Sequence, residues 1–147
     1  MVLLLTRKDL EPLMDMGVCL NAVEDAFRQL ALGNVSLPDR VSIPISKGHY
    51  LIMPAYVKGD NKTLVTKLVT DCPNNPQEKN LPTVQAIVLL FNSDDCSLLS
   101  IMDGRYFTAM RTGAASGVAT KHLAREDSKT LGVIGTGFQA RAQPWQC

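Results

Sequence analysis

Leu131 to Ala140 read Leu-Gly-Val-Ile-Gly-Thr-Gly-Phe-Gln-Ala, an apolar run that ends in Gly135-x-Gly137-x-x-Ala140. That spacing is the phosphate turn of a dinucleotide-binding βαβ unit. Gly135 would let the chain turn sharply after a strand. Gly137, without a side chain, would let a pyrophosphate approach the backbone. The N–H groups of Phe138, Gln139 and Ala140 would be free donors at a helix start. Ala140 is small enough for that helix to pack on the strand. An ordinary strand–turn–helix can carry the same letters. The apolar strand in front, Thr130 to Ile134, favours the dinucleotide. The acidic residue that would hold the ribose belongs about 20 residues further on, and the sequence stops at Cys147. The expectation is therefore a Rossmann domain cut short, with a foreign tail over Gln143-Pro144-Trp145-Gln146-Cys147, because Pro144 would break its first helix.

The preceding chain must position this turn. Val2–Leu5 predicts a short strand, and Thr6 with Asp9 at the capping-box offset predicts a helix to about Met14. A second helix is expected from near Val18 to Leu32, with Val23, Ala26, Phe27 and Leu30 as its apolar stripe. The period then changes. Val41–Ile45, Tyr50–Met53, Thr63–Val69 and Val84–Phe91 read as strands, and Asn92–Asp95 turns the last into a hairpin with Cys96–Met102. Asp103-Gly104 ends the sheet. A long helix follows from about Arg105 to Leu123, dense in small residues, with Gly113 and Gly117 suggesting a close neighbour. Ala124–Ser128 reads as a linker. The fold class is α/β: a mixed-sheet substrate and dimerisation domain over residues 1–125, then the truncated start of a Rossmann domain over 126–147.

Composition excludes several classes. The chain has 147 residues, 46% of them apolar, which suits a globular core. Its net charge of +1 gives no pull toward nucleic acid or anionic lipid. No apolar run approaches the roughly 20 residues that span a bilayer, and Val2–Leu5 is too short for a signal sequence. A cytoplasmic protein is expected. Cys19, Cys72, Cys96 and Cys147 form no C-x-x-C pair, so reduced, mostly buried thiols are expected and no metal site.

Taken together, the segments resemble the ornithine cyclodeaminase/mu-crystallin family. They are Leu37-Pro38-Asp39-Arg40, Met53-Pro54-Ala55, Thr66–Val69, Leu81–Ala86, Met102–Ser116 (with Asp103-Gly104 and Arg111-Thr112-Gly113-Ala114-Ala115) and Gly132–Ala140. The resemblance runs from the N-terminus to about Arg141. It implies a two-domain, nicotinamide-dependent enzyme that forms a homodimer and uses NAD or NADP. Its members include an archaeal-type alanine dehydrogenase and ketimine reductases, so the implied substrate is an amino acid or a cyclic imine, with hydride transfer at Cα.

Residue by residue, the resemblance makes Arg40 the clamp on a substrate carboxylate. It makes Lys67 the catalytic lysine, which also contacts substrate and whose pKa burial would lower. Thr83 would contact the cofactor. Arg111 and Thr112 match the pair near the pyrophosphate and nicotinamide, and Gly135, Gly137, Phe138, Gln139 and Ala140 match the phosphate turn. Read without the family, Arg40 is a solvated loop arginine, Lys67 an edge-strand lysine, and Arg111 a partner for a surface acid such as Asp103. Leu51 stands where ornithine-specific members carry an acid, which argues against ornithine. The family's catalytic aspartate, late in the Rossmann domain, has no counterpart among the 147 residues. The expectation is that this chain alone turns over no substrate. The alternative is a non-catalytic truncated isoform that dimerises or binds a small ligand such as thyroid hormone.

Overall fold

The computed structural model describes residues 1–59 and 62–143. The elements run β1 (Leu3–Leu5), α1 (Arg7–Leu10), α2 (Met16–Ala31), β2 (Val35–Ser36), β3 (Val41–Ile45), β4 (Gly48–Val57) and β5 (Thr63–Asp71). They continue with α3 (Asn75–Lys79), β6 (Val84–Phe91), β7 (Leu98–Asp103), α4 (Gly104–Leu123) and α5 (Phe138–Ala142). The strands form one mixed sheet in the order β1-β7-β6-β5-β4-β2, with β3 also paired to β4. Every pairing is antiparallel except β1 with β7, which is parallel. The fold class read from the sequence, α/β on a mixed sheet, is what the chain adopts.

Strand register sorts the side chains. Directly opposed residues share a face, and neighbours along a strand alternate. One row across the sheet is Met53–Lys67–Val88–Met102–Leu5. The next row, on the opposite face, is Val41–Ile52–Leu68–Ile87. The first face is the covered one. Val88 is only 3% exposed, and Val69 and Ser100 on the same face are buried with it. Helix α4 does the covering, through Ala109, Gly113, Ala114, Gly117 and Val118, and α2 packs in turn against α4. Small residues let α4 lie this close. A Cβ at Gly104 would stand 2.6 Å from the carbonyl carbon of Ala86. The second face carries no helix among the described residues, and Val41, Ile43, Ile45 and Ile87 remain exposed on it.

Local chemistry explains the boundaries. The Thr6 N–H donates to Asp9 Oδ2 at 2.8 Å, half of the expected capping box. Helix α1 ends at Leu10 rather than Met14, because Pro12 has no N–H to continue the ladder. Asp15 starts α2 by accepting from the Gly17 N–H at 2.8 Å. Asp103 does the same for α4, accepting from the Tyr106 N–H at 2.7 Å.

Three expectations are corrected. Thr130–Ile134 forms no strand: no neighbouring strand among the described residues takes its backbone hydrogen bonds, and Leu131, Val133 and Ile134 lie exposed. The α2 stripe is not a core stripe, since Ala26, Phe27 and Leu30 face solvent while Cys19 is buried. Of the thiols, Cys19 is buried, Cys72 half-buried and Cys96 exposed. The expectation about the tail concerns Pro144–Cys147, which lie outside the described residues. Among the described residues, no helix is long and apolar enough to cross a membrane.

Candidate active site

Two groups of residues meet on α4. The first surrounds Lys67. It sits on β5, in the interior of the sheet between β4 and β6, so it is not an edge-strand lysine. Its Val88 neighbour is among the most buried side chains of the fold. Burial pushes the Lys67 ammonium down to about 8, and the positive charges of Arg111 and then Arg40 push the same way. Arg111 reaches this region from the middle of α4, and burial lowers its own guanidinium. Arg40 comes from the exposed loop between β2 and β3. Arg40, Lys67 and Arg111 form no ion pair among the described residues, and Asp103 is engaged by the α4 N-terminus rather than by Arg111. Three cations without an acid are a site for an anion. A lysine with a pKa near neutrality can also exchange a proton.

The second group surrounds the glycine turn. Gly135 has φ 105°, the left-handed backbone that a glycine adopts without cost. A Cβ at Gly137 would meet nothing within 4 Å, so the backbone there is open to a ligand. Phe138 to Ala142 then form the short helix α5. A groove of about 730 Å³ brings Thr83 together with Gly135, Gly137, Phe138, Gln139 and Ala140. Arg105 and Thr108, from the first turns of α4, line the same groove. The Thr108 hydroxyl is buried without a hydrogen-bond partner, unlike Thr112, whose hydroxyl donates to the Thr108 carbonyl at 2.6 Å. The open backbone at Gly137 and the turn at Gly135 fit the phosphates of a dinucleotide.

Sequence reasoning named all these positions except Arg105 and Thr108. Arg105 follows Asp103-Gly104 directly, and Thr108 lies one turn before Thr112, so helical spacing from the named residues could have found both. Arg40, Lys67, Arg111 and Thr112 line neither this groove nor a second cavity of about 460 Å³ on the open face, walled by Tyr50, Leu68, Thr70, Gln85 and Ile87 and reached by Arg105, which lines both. The two groups are therefore adjacent along α4 rather than in one cavity. Among the described residues, no three metal-ligating side chains come together.

Known proteins are similar to this chain in sequence and fold. The archaeal alanine dehydrogenase of Archaeoglobus fulgidus is 43% identical over 141 residues, covering 96% of this chain and 42% of that protein. The structure of Thermococcus litoralis Δ1-pyrroline-2-carboxylate reductase in complex with NADH and L-proline superposes with a TM-score of 0.94 at 46% identity, covering 99% of this chain and 45% of that one. An archaeal alanine dehydrogenase dimer with bound NAD superposes with a TM-score of 0.92 at 41% identity, covering 99% and 44%. The chain thus spans less than half the length of the relatives it matches. The model of one family matches residues 1–147 from end to end, and the chain belongs to it: the ornithine cyclodeaminase/mu-crystallin family, whose members include amino acid and imine oxidoreductases that use nicotinamide.

Proposed function

We propose that this chain supplies the substrate clamp and the pyrophosphate turn of a nicotinamide-dependent oxidoreductase acting on an amino acid or a cyclic imine. The observation that carries this reading is the cluster of Arg40, Lys67 and Arg111, without an acidic partner among the described residues, whose Arg111 comes from the helix that also walls the glycine-turn groove. Residues 1–125 form the substrate part and residues 126–147 the opening of the nucleotide-binding part.

The chemistry follows from the residue types. The Arg40 guanidinium holds a substrate carboxylate with its planar fork. Lys67, poised near pH 8, gives or takes a proton at the substrate nitrogen. A bound carboxylate offsets the repulsion within the cluster and so raises the Lys67 pKa. Thr83 and the glycine turn would hold NAD or NADP. The nicotinamide, when bound, supplies the hydride acceptor or donor for the substrate Cα. The proposed setting is the cytoplasm, where an exposed thiol such as Cys96 stays free.

The open sheet face supports a homodimer. Its row Val41–Ile52–Leu68–Ile87 crosses four strands and is apolar throughout, and such a patch marks an association surface. Ile87→Glu should turn a dimer into a monomer in sedimentation experiments. A wild-type monomer at micromolar concentration would reject this part.

The clamp is tested by binding. NADH titrated into the purified protein should change nicotinamide fluorescence, and Δ1-pyrroline-2-carboxylate should then bind the complex. Arg40→Ala should weaken the imine acid about tenfold or more and leave NADH unaffected. Equal affinity for the imine acid in the variant rejects the role of Arg40. Failure of the wild type to bind NADH rejects the groove.

A further inference from the structure

Arg105 is a cation that no acid among the described residues pairs with. It forms no ion pair among the described residues. The nearest acid in sequence, Asp103, accepts from the Tyr106 N–H to cap α4. The contact Arg105 does make is with an aromatic ring: its guanidinium carbon stands 4.4 Å from the centroid of Phe138. Phe138 follows Gly137 in the glycine turn, and Arg105 and Phe138 line the same groove.

A guanidinium held over a ring by cation–π attraction still has five N–H donors with which to meet a second ligand. It also takes rotamer freedom out of a long side chain before any ligand arrives, which lowers the entropic cost of binding. A planar fork fixed at the mouth of a turn whose Gly137 backbone stands open matches a phosphate ester better than a point charge would.

We infer that Arg105 is a phosphate-binding residue of the groove: Phe138 holds its guanidinium in place, and its N–H donors meet the pyrophosphate of the dinucleotide opposite Gly135 and Gly137. This rests on the proposed nucleotide groove and adds to it a charged contact from α4, one turn or more away from Arg111. It assigns α4 two anion contacts, Arg111 toward the Lys67 cluster and Arg105 toward the phosphates.

The test uses NADH binding to the purified protein at several KCl concentrations, with inorganic pyrophosphate as competitor. Arg105→Gln should weaken NADH about tenfold or more and flatten the dependence of its Kd on salt, because a screened charge contact is gone. Pyrophosphate should compete less well against NADH in this variant than in the wild type. Arg105→Lys should restore most of the salt dependence and only part of the affinity, because it keeps the charge and loses the fork. Circular dichroism confirms that each variant is folded. If Arg105→Gln weakens NADH but keeps the wild-type salt dependence, Arg105 acts only by packing on Phe138, and the phosphate contact is refuted. If affinity and salt dependence are both unchanged, the inference fails while the groove stands. If wild type does not bind NADH, both fail together.

Discussion

Lys67 offers the sharpest test of the site, because its environment can be read without a substrate. The ammonium is pushed from 10.5 to about 8, by burial first, then by Arg111, then by Arg40. Holding the charged form at neutral pH therefore costs the fold stability, a cost that the water still reaching the half-buried ammonium reduces. Below pH 8, folded and unfolded chains both carry the proton and the whole cost is present. Between about 8 and 10.5 only the unfolded chain still binds it, so stability rises with pH across that window. Lys67→Met should therefore unfold at higher urea than the wild type at pH 7, and the gap should narrow steadily up to pH 9.5. Arg111→Gln removes one repelling cation. Since burial outweighs Arg111, the Lys67 pKa should rise by about one pH unit or less and stay below 10.5. The assay is the Cε chemical shift of ¹³C-labelled lysine, with Lys67→Arg identifying the resonance. A wild-type midpoint above 10, or a Lys67 pKa that stays put in Arg111→Gln, would refute the clustering of these cations.

Two further perturbations probe the framework. Gly104→Ala would press a methyl group to 2.6 Å from the Ala86 backbone, and overpacking of that order costs roughly 1–3 kcal/mol; a urea midpoint equal to wild type would show that α4 does not lie this close to β6. Glu24 on α2 receives the Lys121 ammonium at 2.8 Å and the His122 ring at 2.7 Å from the end of α4, and these bonds hold its carboxyl below the usual carboxylate range. That contribution is present at neutral pH and is lost as pH falls through the lowered value, so Glu24→Gln should flatten the acid side of the Tm–pH curve; an unchanged acid slope would remove the clamp.

Much of the positioning was legible in the residues. The β6–β7 hairpin followed from two apolar runs around Asn92–Asp95, and α4 from the Asp103-Gly104 break ahead of a run dense in small residues. These are local signals, and local signals survive into the fold. What failed depended on distant partners. The stripe of α2 has the right period, but the period does not say which face a neighbour will cover, and Phe27 and Leu30 stay 49% and 45% exposed. Thr130–Ile134 has the composition of a strand, yet a strand exists only through the one beside it. Lys67 read equally well as an edge lysine, because strand order is set by topology and not by the letters around it. The short elements β2 and α3 carried too few residues to show a period. Thr83, Phe138 and the glycines line one groove, and Arg105, which lines it too, was not named as a site residue although it lies at helical spacing from Thr112.

The parallel pairing of β1 with β7 matters while the chain is being made. Leu3 lies opposite Ser100, so β1 waits for the last strand of the described sheet to be made. At a synthesis rate of about 5–20 residues per second, that wait is roughly 5–20 s, far longer than the microseconds a hairpin such as β6–β7 needs. Through that interval Leu3-Leu4-Leu5 has no place to dock, whereas every antiparallel pair between β3 and β7 can close as it emerges. The amino terminus is thus the last piece to join the sheet and the part of it most dependent on protection by whatever binds nascent apolar segments.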